Sequence, residues 1–155
     1  MHTVFDVANW FLTHAENVTN KKLQKLVYYA YVWYIVFFND SPDRIENRLF
    51  NNRIEAWIHG AVCPDLYNKY RVYGSSKIPR YTGQLADFSV DELDVLNQVL
   101  NIYGLFNGDE LEAICTTESP WLVARGETPA WDASTDTIDD AVIFRFYDSK
   151  LGCTT

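Results

Sequence analysis

The chain opens on an apolar stripe. Val4, Val7, Ala8, Phe11 and Leu12 recur at i, i+3, i+4, i+7 and i+8, the spacing of one helix face. Thr3 stands where a cap is needed, and Asp6 in the first turn suits the positive end of the helix dipole. Glu16-Asn17 interrupts the pattern. Thr19 caps a second helix, and Lys21 to Phe38 runs without Gly or Pro. Leu23, Leu26, Val27, Ala30, Tyr31 and Tyr34 form one stripe there. Tyr28, Val32, Ile35 and Val36 carry apolar side chains round to the other faces. A helix that is apolar nearly all round belongs in the middle of a fold.

After the loop Asn39 to Asp43, the run Arg53 to His59 alternates, with Ile54, Ala56 and Ile58 on one side. Alternation around Asn51-Asn52 predicts a small hairpin from Arg44–Phe50 and Arg53–His59, ended by Gly60. Pro64 opens a third helix with Leu66, Tyr67 and Tyr70 inward, stopped by Gly74. Ser75 to Phe88 reads as a long loop. Ser89 and Glu92 form a capping box, and the following helix buries Leu93, Leu96, Leu100 and Tyr103. A short helix starts at Asp109 with Leu111, Ile114 and Cys115. Ser119-Pro120-Trp121 predicts an N-cap with Pro at the first helical position. A last helix runs from about Thr137, with Ile138, Ala141, Val142, Arg145 and Phe146 at helical spacing. The expected fold is mainly α with a minor β part (α+β). It is a single compact domain over residues 1–155, built around a central hydrophobic helix, with one small β-hairpin.

Composition supports this picture. The 155 residues are 48% hydrophobic and 15% aromatic, enough for a packed core and unlike a disordered chain. The net charge of −8 disfavours a non-specific nucleic-acid partner. That charge is unevenly placed. Residues 1–80 hold ten Lys/Arg against seven Asp/Glu, whereas residues 87–140 hold thirteen Asp/Glu and only Arg125. The acidic segment reads either as a solvated face or as a surface that steers a basic partner. Lys21, Lys22 and Lys25 in the first turns of the second helix oppose its dipole. Pairing with the acidic segment is the favoured reason for them over a DNA contact. No run of about 18 apolar residues exists, so no transmembrane helix is expected. No signal peptide is expected either. Cys63, Cys115 and Cys153 are widely spaced, which fits a reducing cytoplasm better than a disulfide framework or zinc site.

Catalytic constellations are sparse. His59 and Cys63 are the close His/Cys pair, but a thiolate–imidazole pair needs contact and a third orienting group. Glu55 in an extended run would lie about a dozen ångström from His59. The plainer reading makes Cys63 a small buried filler. Adjacent carboxylates such as Asp109-Glu110 point about 100° apart on a helix. No Gly-rich phosphate loop occurs. The chain therefore reads as a binding protein rather than an enzyme, with a small hydrolase using His59 and Cys63 as the lesser alternative, and no cofactor or metal is expected.

Four stretches carry a family resemblance. Thr19-Asn20-Lys21-Lys22-Leu23-Gln24-Lys25-Leu26-Val27-Tyr28-Tyr29-Ala30 resembles the hallmark of the Panacea domain, the family of the SocA-like antitoxins and the phage-associated GepA proteins. Val4 to Leu12 is similar to its first helix, and Glu55 to Tyr67 to its central motif. Glu118-Ser119-Pro120-Trp121 with Ala124-Arg125 is similar to its late motif. Together they span about residues 3–146. The resemblance implies an antitoxin that neutralises a protein toxin by direct binding, or an adaptor that delivers it to a host protease. A phage or prophage regulatory protein engaging host machinery is a further alternative. The cognate toxin is expected to present a basic surface. The residues expected to meet a partner are Lys21, Lys25, Trp57, His59, Gly60, Pro64, Asp65, Tyr67, Glu118, Pro120 and Trp121. Trp and Tyr are types favoured in binding hot spots. Trp57 and Trp121 also read as core residues. Family members often carry Thr-His two residues before the late-motif Glu, and Thr116 stands here in place of that His.

Overall fold

A computed structural model describes residues 2–152. Cys153 lies outside the described residues. The elements, in chain order, are α1 (Val4–His14), α2 (Asn20–Phe38), β1 (Glu55–Trp57), β2 (Gly60–Val62), α3 (Pro64–Tyr70), α4 (Val90–Tyr103), α5 (Gly108–Cys115), α6 (Ser119–Arg125) and α7 (Asp140–Gly152). The architecture is mainly α with one two-stranded antiparallel hairpin.

Apolar side chains on every face put α2 in the centre. Fourteen of its 19 residues are buried, and α1, α3, α4, α5, α7 and β2 all pack on it. Tyr28, Tyr29, Leu23, Leu26 and Ile35 are almost wholly enclosed. Tyr29 stacks on Tyr103 of α4 with ring centroids 4.0 Å apart. Its hydroxyl donates to Glu118 Oε1 at 2.7 Å, and Tyr147 of α7 donates to the same oxygen at 2.9 Å. One buried carboxylate thereby ties α2, α6 and α7 together. Burial pushes the Glu118 carboxyl up, although both tyrosine bonds pull it down.

The caps explain the boundaries. Thr3 with Asp6 and Ser89 with Glu92 form complete capping boxes on α1 and α4. Asn107 with Glu110 caps α5 in the same way, which starts that helix at Gly108 rather than Asp109. Glu118, not Ser119, is the N-cap residue of α6, so Ser119 and Pro120 fall in the first turn. Thr137 does not start the last helix. It bridges to Glu55, and Ile138 N donates to Ile54 O at 3.0 Å, so α7 begins three residues later.

The hairpin is one turn further along than the alternation implied. Glu55 pairs with Val62, Ala56 with Ala61 and Trp57 with Gly60, with Ile58-His59 as the turn. Gly60 opens the second strand instead of ending the first. Its φ of +107° is a conformation that favours glycine. The Asn51-Asn52 pair serves elsewhere: Asn52 accepts from Val4 N and donates to Asp65. Leu49 and Phe50 before it are core residues, 1% and 0% exposed. On α3, Leu66 and Tyr70 are inward but Tyr67 is exposed. On α4 the buried set is Val95, Leu96, Val99 and Tyr103, while Leu93 and Leu100 are only half-buried. Residues 75–88 form no helix or strand of their own. They are strapped down by an Ile78 N to Val18 O bond and a Tyr81 N to Leu12 O bond.

Candidate functional site

A cleft of about 820 Å³ opens beside the hairpin. Its floor is the first turns of α2, and its walls come from the hairpin turn, the end of α3, the start of α5 and residues 133–135. Lys21, Lys25, Trp57, His59 and Tyr67 line it together. Trp57 and Tyr67 meet edge to face with centroids 5.0 Å apart. The Trp57 indole N–H donates to Glu55 Oε1 at 2.9 Å, which fixes the ring.

Polar residues of α2 build the floor. Gln24 Oε1 accepts from Cys63 N at 3.0 Å, its amide donates to Asn20 Oδ1, and Asn20 donates to Tyr67 O. These buried amides fasten the exit of the hairpin and α3 to the central helix. Lys25 is 1% exposed and donates to Ala61 O at 3.2 Å. Gly60 lies against it: a Cβ there would come within 2.7 Å of Lys25 Cε. Burial lowers the Lys25 pKa to about 8. Burial raises the neighbouring Cys115 thiol to about 11.

At the rim Lys21 donates to Asp109 at 2.9 Å and to Glu112 at 2.7 Å. The other Glu112 oxygen meets His59 Nδ1 at 3.0 Å. These two bonds lower the Glu112 carboxyl against its partial burial. The expected pairing of the lysines with the acidic segment thus holds for Lys21. Lys22 instead donates to the carbonyls of Glu16 and Gly104.

The other expected site residues lie outside this cleft lining. Gly60 is buried against the Lys25 side chain. Pro64 opens α3, and Asp65 is exposed and bonded to Asn52. Glu118 and Pro120 are buried. Trp121 is 7% exposed and donates to Trp57 O at 2.8 Å. Arg125, 4% exposed, lies over the Trp121 ring and donates to Ala56 O, Pro129 O and Asp132 O. The late motif therefore braces β1 from behind and holds the loop that leads to residues 133–135. His59 faces Glu112, while burial pushes the Cys63 thiol up, so the pair offers no activated nucleophile. Thr116 caps α5 and donates to Glu112 O at 2.9 Å.

Sequence reasoning passed over Asn20, Gln24, Arg71, Gly108 and Glu112. The signal for the first two was present: amides four apart in a helix otherwise apolar on that side. Gly108 would have needed the contact itself, since a Cβ there would meet the Lys21 stem at 3.1 Å.

A family model described as antitoxin SocA-like, Panacea domain, matches residues 23–122. The chain belongs to that family. The match runs from the first turns of α2 into α6, and so takes in the hairpin, α3 and the start of α5. The opening helix and Arg125 fall outside it and rest on the motif resemblance alone. No curated protein and no solved structure matches the chain significantly. An antitoxin-like Panacea domain implies a protein partner in general terms. No helix among the described residues is long and apolar enough to cross a membrane.

Proposed function

We propose that this Panacea domain neutralises a protein toxin by binding it directly, with the hairpin cleft as the contact. The observation that carries the reading is the convergence at one cleft of Lys21, Lys25, Trp57, His59 and Tyr67, drawn from two separated motifs. Trp57 and Tyr67 present aromatic surface at its edge, the kind that anchors protein interfaces. The backbone behind them is braced by the Trp121 and Arg125 bonds, so little ordering entropy is lost on binding. Asp87, Asp91 and Asp94 are exposed and make no ion pair among the described residues. They lie at the end of α4 opposite Gly104, which bonds Lys22, so a basic part of the toxin would meet them outside the cleft.

Co-expression with the product of the adjacent open reading frame tests the reading. Wild-type chain should restore growth and co-purify with that product. Trp57→Ala with Tyr67→Ala should abolish both while leaving the circular dichroism spectrum unchanged. Rescue that depends on a host protease, with loss of the toxin band, would favour delivery over steric block. No complex and no rescue would end the proposal.

A further inference from the structure

The cleft contains a charge that its surroundings satisfy only in part. The Lys25 ammonium has three N–H donors. Among the described residues it makes one hydrogen bond, to Ala61 O. Four influences act on its charge. Burial disfavours it most, Cys115 and Glu112 of α5 favour it, and Lys21 of its own helix opposes it. A buried cation without a counter-ion is costly. The nearby carboxylates are engaged elsewhere, Asp109 by Lys21 and Glu112 by Lys21 and His59. Arg71 lines the same cleft. Because Lys21 is matched by Asp109 and Glu112, Lys25 and the exposed Arg71 are the lining cations without an ion pair among the described residues. A cationic lining in a chain of net charge −8 marks a place for an anion. The volume of about 820 Å³ is that of a small-ligand site.

We propose that the cleft binds a carboxylate carried on an apolar or aromatic body. The carboxylate sits on Lys25 and the body lies among Trp57, Ile58, Val62 and Tyr67. The two oxygens match the spare ammonium donors, and a monoanion balances the one charge. A phosphate dianion would leave net charge buried at the floor. Two sources supply this chemistry, a free carboxylic acid and the C-terminal residue of a polypeptide. The site is a property of the isolated domain and stands or falls independently of toxin neutralisation.

Calorimetric titration of the purified chain tests it. The probes are 4-phenylbutyrate and acetyl-Gly-Leu-Phe, each beside its neutral amide, at pH 6 and pH 8 in buffers of different ionisation enthalpy. At least one acid should bind, with its amide weaker by tenfold or more. A carboxylate on Lys25 raises the lysine pKa, so binding at pH 8 should take up roughly half a proton. At pH 6 the ammonium is already protonated and uptake from it vanishes. Lys25→Met should remove the acid preference and the uptake. Ile58→Glu, on the half-buried wall, should weaken the acid at least tenfold and keeps the test open should Lys25→Met fail to fold. Tighter binding of the free acid assigns a small-molecule ligand, and tighter binding of the peptide assigns a chain terminus; either supports the site. Equal binding of acid and amide, no binding of either acid, or proton uptake that survives Lys25→Met would overturn it.

Discussion

Lys25→Met gives the sharpest test of the energetics beneath the cleft. The folded pKa of about 8 stands against an ordinary 10.5. At about 1.4 kcal/mol per pKa unit, charged Lys25 costs the fold about 3 kcal/mol at pH 7. Between pH 8 and 10.5 the unfolded chain binds more protons than the folded one, so stability from this group rises with pH. About 2 kcal/mol should be recovered between pH 7 and 9.5. Methionine keeps the stem and removes the charge, but leaves Ala61 O without its donor, a loss of about 1–2 kcal/mol. The variant should therefore exceed wild type by about 1–2 kcal/mol at pH 7 and lose that advantage by pH 9.5. Paired urea melts at the two pH values measure this. Taking the difference between the two proteins cancels the tyrosines and other groups that titrate in both. A stability difference that is the same at pH 7 and 9.5 would refute the reasoning.

Other outcomes follow from the same contacts. Gly60→Ala combines a φ of +107° with a 2.7 Å approach to Lys25 Cε, and thermal melts should show a loss of about 2 kcal/mol or more. Gly126→Ala, at a φ of +55° and a ψ of −123° that lie outside the left-handed helical well, should cost about 1–3 kcal/mol from backbone strain alone, since the nearest heavy atom is 3.9 Å away. Glu118 has a carboxyl pKa raised by burial, so its contribution to stability declines as pH rises from the unfolded value through the folded one. Glu118→Gln should gain on wild type between pH 4 and pH 7 in paired denaturation curves, and a difference that does not move would contradict that sign. Cys63 and Cys115 are buried thiols with raised pKa, so native protein should resist iodoacetamide at these positions at pH 7.5 and react fully once unfolded, as peptide mapping would show.

Much of the fold was legible because its signals are local. The stripe of α1, the all-round apolar α2 and the capping box at Ser89 each depend on neighbours within a few residues. The hairpin shows where local reading stops. Asn51-Asn52 looks like a turn, yet Asn52 is claimed by Val4 and Asp65 from distant parts of the chain. The turn forms instead where Gly60 allows a backbone that other residues resist, pressed against Lys25. Tyr67 follows the same logic: helical spacing predicts it inward, but on α3 it is exposed and meets the half-buried Trp57 of β1 edge to face. The cleft was half visible. Its lysines and aromatics announced themselves by type, whereas Gln24, Gly108 and Glu112 matter only through contacts that tertiary folding creates. Glu118 and Trp121 drew notice as interface residues, and their contacts are internal, bracing α2, α7 and β1.

The central claim is that the hairpin cleft neutralises a toxin by direct contact. The most direct measurement is the affinity of purified chain for the purified product of the adjacent gene, wild type against Trp57→Ala/Tyr67→Ala. The account predicts a stable complex for wild type and an affinity at least about a hundredfold weaker for the folded double variant. A complex whose affinity is untouched by the two substitutions, or no complex at all, would contradict it.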